Sequence, residues 1–250
     1  MRPLIVSIPH SSTRVPEELV GNVLLSQEDL LGYSDLYTDK IFAMPNVYIA
    51  TYGYSRIFLD VNRAPDDISR EYEKGEEGVL VHTTWDGKPI YQTEPSEEQV
   101  SELIKKYHDP FHEEIDSHMA RARFLLDCHS YLPVGPALKP DAGKERPDVC
   151  LGNINYSTCS REHTVFFREF FERHGYSVAI NFPYQGKYTL GRHCHRRRIP
   201  HFLVPGIQIE FNQKLYADSV THAPSNDAIF QLNQLMQKVV DEFLAKFGMS

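Results

Sequence analysis

Short apolar runs of strand length alternate with helical patterns along this chain, and several of the runs end on a side chain capable of chemistry. Residues 4–8 form a β-branched run that breaks at Pro9-His10-Ser11-Ser12. Ser26 and Asp29 have the spacing of a capping box, and Leu30, Leu31, Tyr37 and Ile41 supply an apolar side to a helix expected over roughly 27–42, with Asp35 inside it. Residues 47–51 and 55–61 read as two strands separated by Tyr-Gly-Tyr. Ser96 and Gln99 form a second capping box, followed by Val100, Leu103, Tyr107, Phe111 and Ile115 at helical spacing, with a kink expected near Pro110. Strands are then expected over 124–128, 149–152, 176–181 and 207–211, and helices over 162–174 and 226–247. Such alternation predicts an α/β sandwich.

Composition narrows the class. With 250 residues, 41% apolar and 12% aromatic, the chain can bury a sizeable core, and residues 1–250 are expected to form a single domain without internal repeats. A net charge of -8, from 34 acidic against 26 basic residues, disfavours nucleic acid or an anionic membrane as a partner. The opening apolar run is too short for a signal peptide, and no stretch approaches the roughly 20 apolar residues that span a bilayer. A soluble cytoplasmic protein is expected. Cys128, Cys150, Cys159 and Cys194 are widely spaced with no CxxC pair, which argues against a zinc ribbon or a disulfide framework.

His10 and His129, the latter in Asp127-Cys-His-Ser130, each follow a hydrophobic strand, where the chain leaves a sheet and side chains can face a ligand crevice. Two histidines and a carboxylate leave a position for water on zinc. Taken singly, each histidine is better explained by a hydrogen bond at a loop entrance; their matching placement favours the metal. Asp35 is the first candidate for the carboxylate, with Asp39 one helical turn later as the alternative. Gln208, Glu210 and Asn212 share one face of an alternating strand. Glu210 is a candidate general base if that face looks into the site, and the alternative is an antiparallel strand with one wet face. In an extended segment Arg56, Asp60 and Asn62 share a face and Arg63 lies at the exit. These arginines suit a carboxylate or an oxyanion, unless Arg56 simply pairs with Asp60.

Further polar segments are ambiguous. Residues 65–95 read either as a lid or as a decorated surface loop. A late loop carrying Tyr188 could close over an acidic ligand, while His193, Cys194 and His195 could hold a metal and Arg196 to Arg198 a phosphate. His112 reads as a helix-packing residue, with support of a metal ligand as the lesser alternative.

Taken in order, Pro9-His10-Ser, Ser34-Asp35-Leu-Tyr, Ser55-Arg56 to Asp60-Val-Asn-Arg63, Asp127-Cys-His129-Ser130, Asp148-Val-Cys-Leu-Gly152, Asn181-Phe-Pro-Tyr-Gln-Gly-Lys-Tyr188 and Gln208-Ile-Glu210-Phe-Asn212 resemble the N-formylglutamate amidohydrolase family. That family is similar in fold to zinc carboxypeptidases and aspartoacylases, which implies a three-layer α/β/α sandwich with a mixed sheet. The resemblance implies zinc, or another divalent metal, on His10, Asp35 and His129, with Glu210 as general base. It further implies that Arg56, Asn62, Arg63 and Tyr188 address a small anionic substrate. The implied reaction converts N-formyl-L-glutamate to formate and L-glutamate, a step of histidine degradation. Hydrolysis of another N-acyl amino acid or peptide, and a non-catalytic metal- or carboxylate-binding module, are the alternatives.

Overall fold

The computed structural model describes residues 1–68, 78–85, 87–195 and 204–249. Its frame is a six-stranded mixed sheet in the order β2 (Tyr48–Thr51), β1 (Leu4–Ile8), β3 (Phe124–Tyr131), β6 (Gly206–Asn212), β4 (Val149–Gly152) and β5 (Val178–Ile180). All neighbours pair in parallel except β4 and β6. Every residue of β3 and β6 is buried, as befits strands covered on both faces.

Helices on both sides complete the three layers. One face carries α2 (Thr38–Ile41), α5 (Arg161–Arg173) and α7 (Asn226–Lys246), whose Phe166, Phe167, Phe170, Phe171 and Phe243 pack on Phe124, Leu126, Ile207 and Phe211. The opposite face carries α1 (Gln27–Gly32), α3 (Glu97–Leu103) and α4 (Asp109–Met119), which cover Ile5 and Leu125. Both capping boxes form: Ser26 with Asp29 at α1, and Ser96 with Gln99 at α3.

Four local expectations need correction. The helix expected over 27–42 is broken, and Asp35 sits between α1 and α2 in a turn where its N–H donates to His10 O at 2.9 Å. Residues 55–61 are turns rather than a strand, because Asp60 Oδ1 accepts from Asn62 N at 2.8 Å and the short side chain competes with any ladder. The disturbance near Pro110 is a π turn at Ile104–His108 that joins α3 to α4. Strand β3 continues to Tyr131, so His129 lies within the strand and not beyond it. The short helix α6 (Tyr188–His193) follows the loop expected to reach the ligand. In the proposed lid, Val79, Leu80, Val81, Ile90 and Tyr91 are buried in the second core, while residues 69–77 and 86 lie outside the described residues.

Candidate active site

The chain leaves β1 for β2 on one side and returns to β3 on the other, so the strand order reverses between β1 and β3. A crevice opens at the carboxyl ends of parallel strands at such a point. His10 lies two residues beyond β1, His129 near the end of β3 and Glu210 near the end of β6. Parallel register puts Asp127 beside Gln208 and His129 beside Glu210, so one polar stripe crosses adjacent strands. The wet-face reading of β6 therefore fails: the strand is buried on both sides, and its polar residues face this stripe.

His10, Asp35 and His129 converge, each buried, with one donor atom apiece lying within 4.8 Å of the others. The two Nδ1 atoms stand 3.1 Å apart, and Asp35 Oδ2 is 3.0 Å from that of His129 and 3.5 Å from that of His10. Asp35 is steadied by Ser130 N, which donates to Oδ2 at 3.1 Å. Asp39, the alternative carboxylate, is exposed on α2. Burial alone would raise the pKa of Asp35, but hydrogen bonds from His10 and His129 hold it below the ordinary carboxylate range. Burial opposes protonation of His129, yet Asp127 and Asp35 together draw its pKa well upward. Positive charge is thus favoured at this ring. Each far ring nitrogen meets a carboxylate: His10 Nε2 lies 2.7 Å from Asp60 Oδ1, and His129 Nε2 lies 3.1 Å from Asp127 Oδ2. Those contacts leave both Nδ1 atoms turned inward, and two imidazoles with one carboxylate are a donor set that fits zinc.

Asp60 is a hub that sequence reasoning read only as part of an arginine-bearing segment. Its Oδ2 accepts from Arg56 Nη2 at 2.7 Å and lies 3.4 Å from Arg63 Nη1, while Oδ1 meets His10. Full burial would raise its pKa, and Arg56, His10 and Arg63 instead hold it well below the usual value. The Arg56–Asp60 ion pair foreseen as an alternative does form, yet Arg56 and Arg63 also line the cavity. Asn62 Oδ1 accepts from Thr189 N at 3.0 Å, and its Nδ2 lies 3.4 Å from His129 Nε2.

Glu210 is buried, with Gln208 Nε2 donating to its Oε1 at 2.6 Å. Burial pushes its pKa up to about 8; the charge of His129 opposes the rise, and those of Asp35 and Asp127 add to it. A carboxyl titrating near neutrality can take a proton and return it. The cavity, about 670 Å³, is lined by His10, Asp35, Arg56, Asn62, Arg63, His129, Tyr188 and Glu210, so these eight lie on one crevice. A Cβ at Gly152 would stand 2.7 Å from Gly186 N, which shows how closely the loop before Tyr188 lies on β4.

Arg146 and Trp85 also line the cavity and were not singled out from sequence. Arg146 makes a bidentate pair with Asp141, at 2.7 and 3.0 Å, and its guanidinium lies over the Tyr131 and Tyr184 rings. The Arg-Pro-Asp sequence around it carries no periodic signal. His193 turns from any metal role to a bond with His112, Cys194 is buried at the C-terminal end of α6, and Arg196 to Arg198 lie outside the described residues.

The sequence model of the N-formylglutamate amidohydrolase family matches residues 2–217. The N-formylglutamate amidohydrolase of Ralstonia eutropha JMP134 superposes with a TM-score of 0.79 at 22% identity, covering 98% of this chain and 95% of that one. A gene product of Agrobacterium tumefaciens superposes at 0.71 with 15% identity, covering 98% and 90% of the two chains. Both likenesses are of fold. No match was found among curated proteins.

Proposed function

The chain belongs to the N-formylglutamate amidohydrolase family, and from that premise we propose that it hydrolyses the amide of an N-acylated acidic amino acid, N-formyl-L-glutamate foremost. The reading is carried by one juxtaposition: a buried glutamate with a pKa near 8 lies one strand from three converging metal-capable groups.

His10, Asp35 and His129 would hold a single zinc ion, which when bound supplies Lewis acidity to the amide carbonyl and to the attacking water. Glu210 takes the proton of that water and delivers it to the departing amine. Arg56 and Arg63, fixed by Asp60, offer N–H donors to a substrate carboxylate or to the developing oxyanion. Asn62 and Tyr188 complete the wall against which the substrate is oriented. Free L-glutamate and formate leave.

A cavity of about 670 Å³ also favours a second reading, in which a larger acyl group or a peptide is cleaved by the same groups. A panel of formyl, acetyl and peptidyl derivatives of acidic amino acids, read by release of acid and amine, separates the two. Glu210→Gln is expected to lower kcat by about 10²- to 10⁴-fold without altering the circular dichroism spectrum or the metal content. Turnover persisting near wild type would remove Glu210 from the reaction.

A further inference from the structure

Residues 61–63 adopt no regular structure, yet their three consecutive carbonyls are all satisfied. His112 Nε2 lies 2.8 Å from Val61 O, Asn62 O accepts from Arg63 Nη1 at 3.0 Å and from Tyr188 N at 3.4 Å, and His108 Nε2 lies 2.9 Å from Arg63 O. A buried carbonyl cannot be left bare, so these donors stand in for a neighbouring strand. Two of these donors are histidine rings, four residues apart on one helical face and both fully buried. They lie on either side of the point where the π turn passes into α4.

A ring nitrogen facing a carbonyl must carry the proton. His112 therefore donates through Nε2, and a neutral ring can then only accept at Nδ1. Facing that Nδ1 at 2.9 Å is His193 Nε2, from the last residue of α6. His193 Nδ1 in turn lies 3.0 Å from Asp116 Oδ1, beside the Arg192 bond to the same carboxylate at 2.8 Å. Burial, with His193 and His108 nearby, lowers the pKa of His112 to about 2, so its ring stays neutral through the working range. Tyr188 closes the set, its ring perpendicular to that of His112 with centroids 5.1 Å apart.

We propose that His112 is a positioning residue for the segment bearing Asn62 and Arg63, locked in its Nε2–H tautomer by His193. This rests on the reading of Asn62 and Arg63 as substrate contacts. The relay joins the end of α6 to the segment that Tyr188 N and Thr189 N also reach, so these two parts of the cavity wall hold a common geometry. None of its hydrogen bonds ends on His10, Asp35, His129 or Glu210.

The test pairs kinetics with ring-nitrogen NMR. His112→Leu is expected to raise KM for N-formyl-L-glutamate about tenfold, with kcat within about threefold and metal content unchanged, as the loss of one buried hydrogen bond implies. His112→Gln keeps an amide N–H where Nε2 stood and is expected to restore most of that KM. Equal effects of Leu and Gln, or a loss confined to kcat, would overturn the proposal. The ¹⁵N shifts of His112 should report a neutral Nε2–H ring in wild type and His193→Gln, and lose that single state in His193→Leu. A cationic or Nδ1–H ring in wild type would also overturn it. The NMR arm needs no substrate, so a wild type inactive on every acylated amino acid would sink the functional reading alone.

Discussion

Asp60 shows how one buried carboxylate can serve both halves of a site. It orients His10 with one oxygen and holds Arg56 and Arg63 with the other, so a neutral replacement disturbs the metal-capable cluster and the arginines together. Asp60→Asn is expected to weaken zinc affinity by about 10- to 100-fold, as found when partners of ligating histidines are removed, and competition with a chelator measures it. Glu210 gives a pH test. Its folded pKa of about 8 stands above the ordinary glutamate value of 4.5, so the folded state keeps a proton that the unfolded chain releases. The associated stability is complete below about 4.5 and is lost as pH rises through about 8. Urea unfolding of the metal-free protein should show wild type losing ground to Glu210→Gln between those limits, and a constant gap would refute it. At this scale His10, His129 and Glu210 were legible because strand-end polar residues after apolar runs carry a pattern. The pairing of Asp60 with His10 was not, because it joins positions 50 residues apart through a turn that no periodicity marks.

Among the elements, helix starts read most clearly, since a capping box is local chemistry completed within four residues. Ser96 accepts from Gln99 N at 3.2 Å while Gln99 Oε1 accepts from Ser96 N at 2.8 Å, ahead of a helix whose later turns carry His108 and His112. Ser96→Ala should cost about 1 kcal/mol of unfolding free energy in denaturant melts, leaving kcat unchanged, and a larger loss of kcat than of stability would show the cap reaching the site. The misread element is equally informative. Arg56, Phe58, Asp60 and Asn62 alternate as a strand would, but Asp60 folds back on Asn62 N and the arginines turn onto it. Period two is a property of spacing, and a buried ion pair overrides it. Asp35 was placed on a helix for the same kind of reason. The break that frees it is set by contacts with His10 and Ser130, which are distant in sequence.

For the whole molecule, alternation of apolar runs and helices was enough to predict a layered α/β sandwich, and the resemblance supplied the mixed sheet. Strand order was not legible, because nothing local distinguishes β4 and β5 from the four strands they run against. That order nevertheless decides function, since it places the reversal between β1 and β3 and draws His10, His129 and Glu210 to one end of the sheet. Two apolar cores, one on each face, brace the sheet beneath the crevice. Among the described residues no helix is long and apolar enough to cross a membrane. Distant strand ends and the turn at Asp35 would thus build one metal centre. Anomalous diffraction across the zinc absorption edge, on crystals of zinc-loaded protein, tests it most directly. The expected result is a single peak about 2.0–2.2 Å from His10 Nδ1, His129 Nδ1 and a carboxylate oxygen of Asp35. A peak elsewhere, or none at these three residues, would contradict the claim.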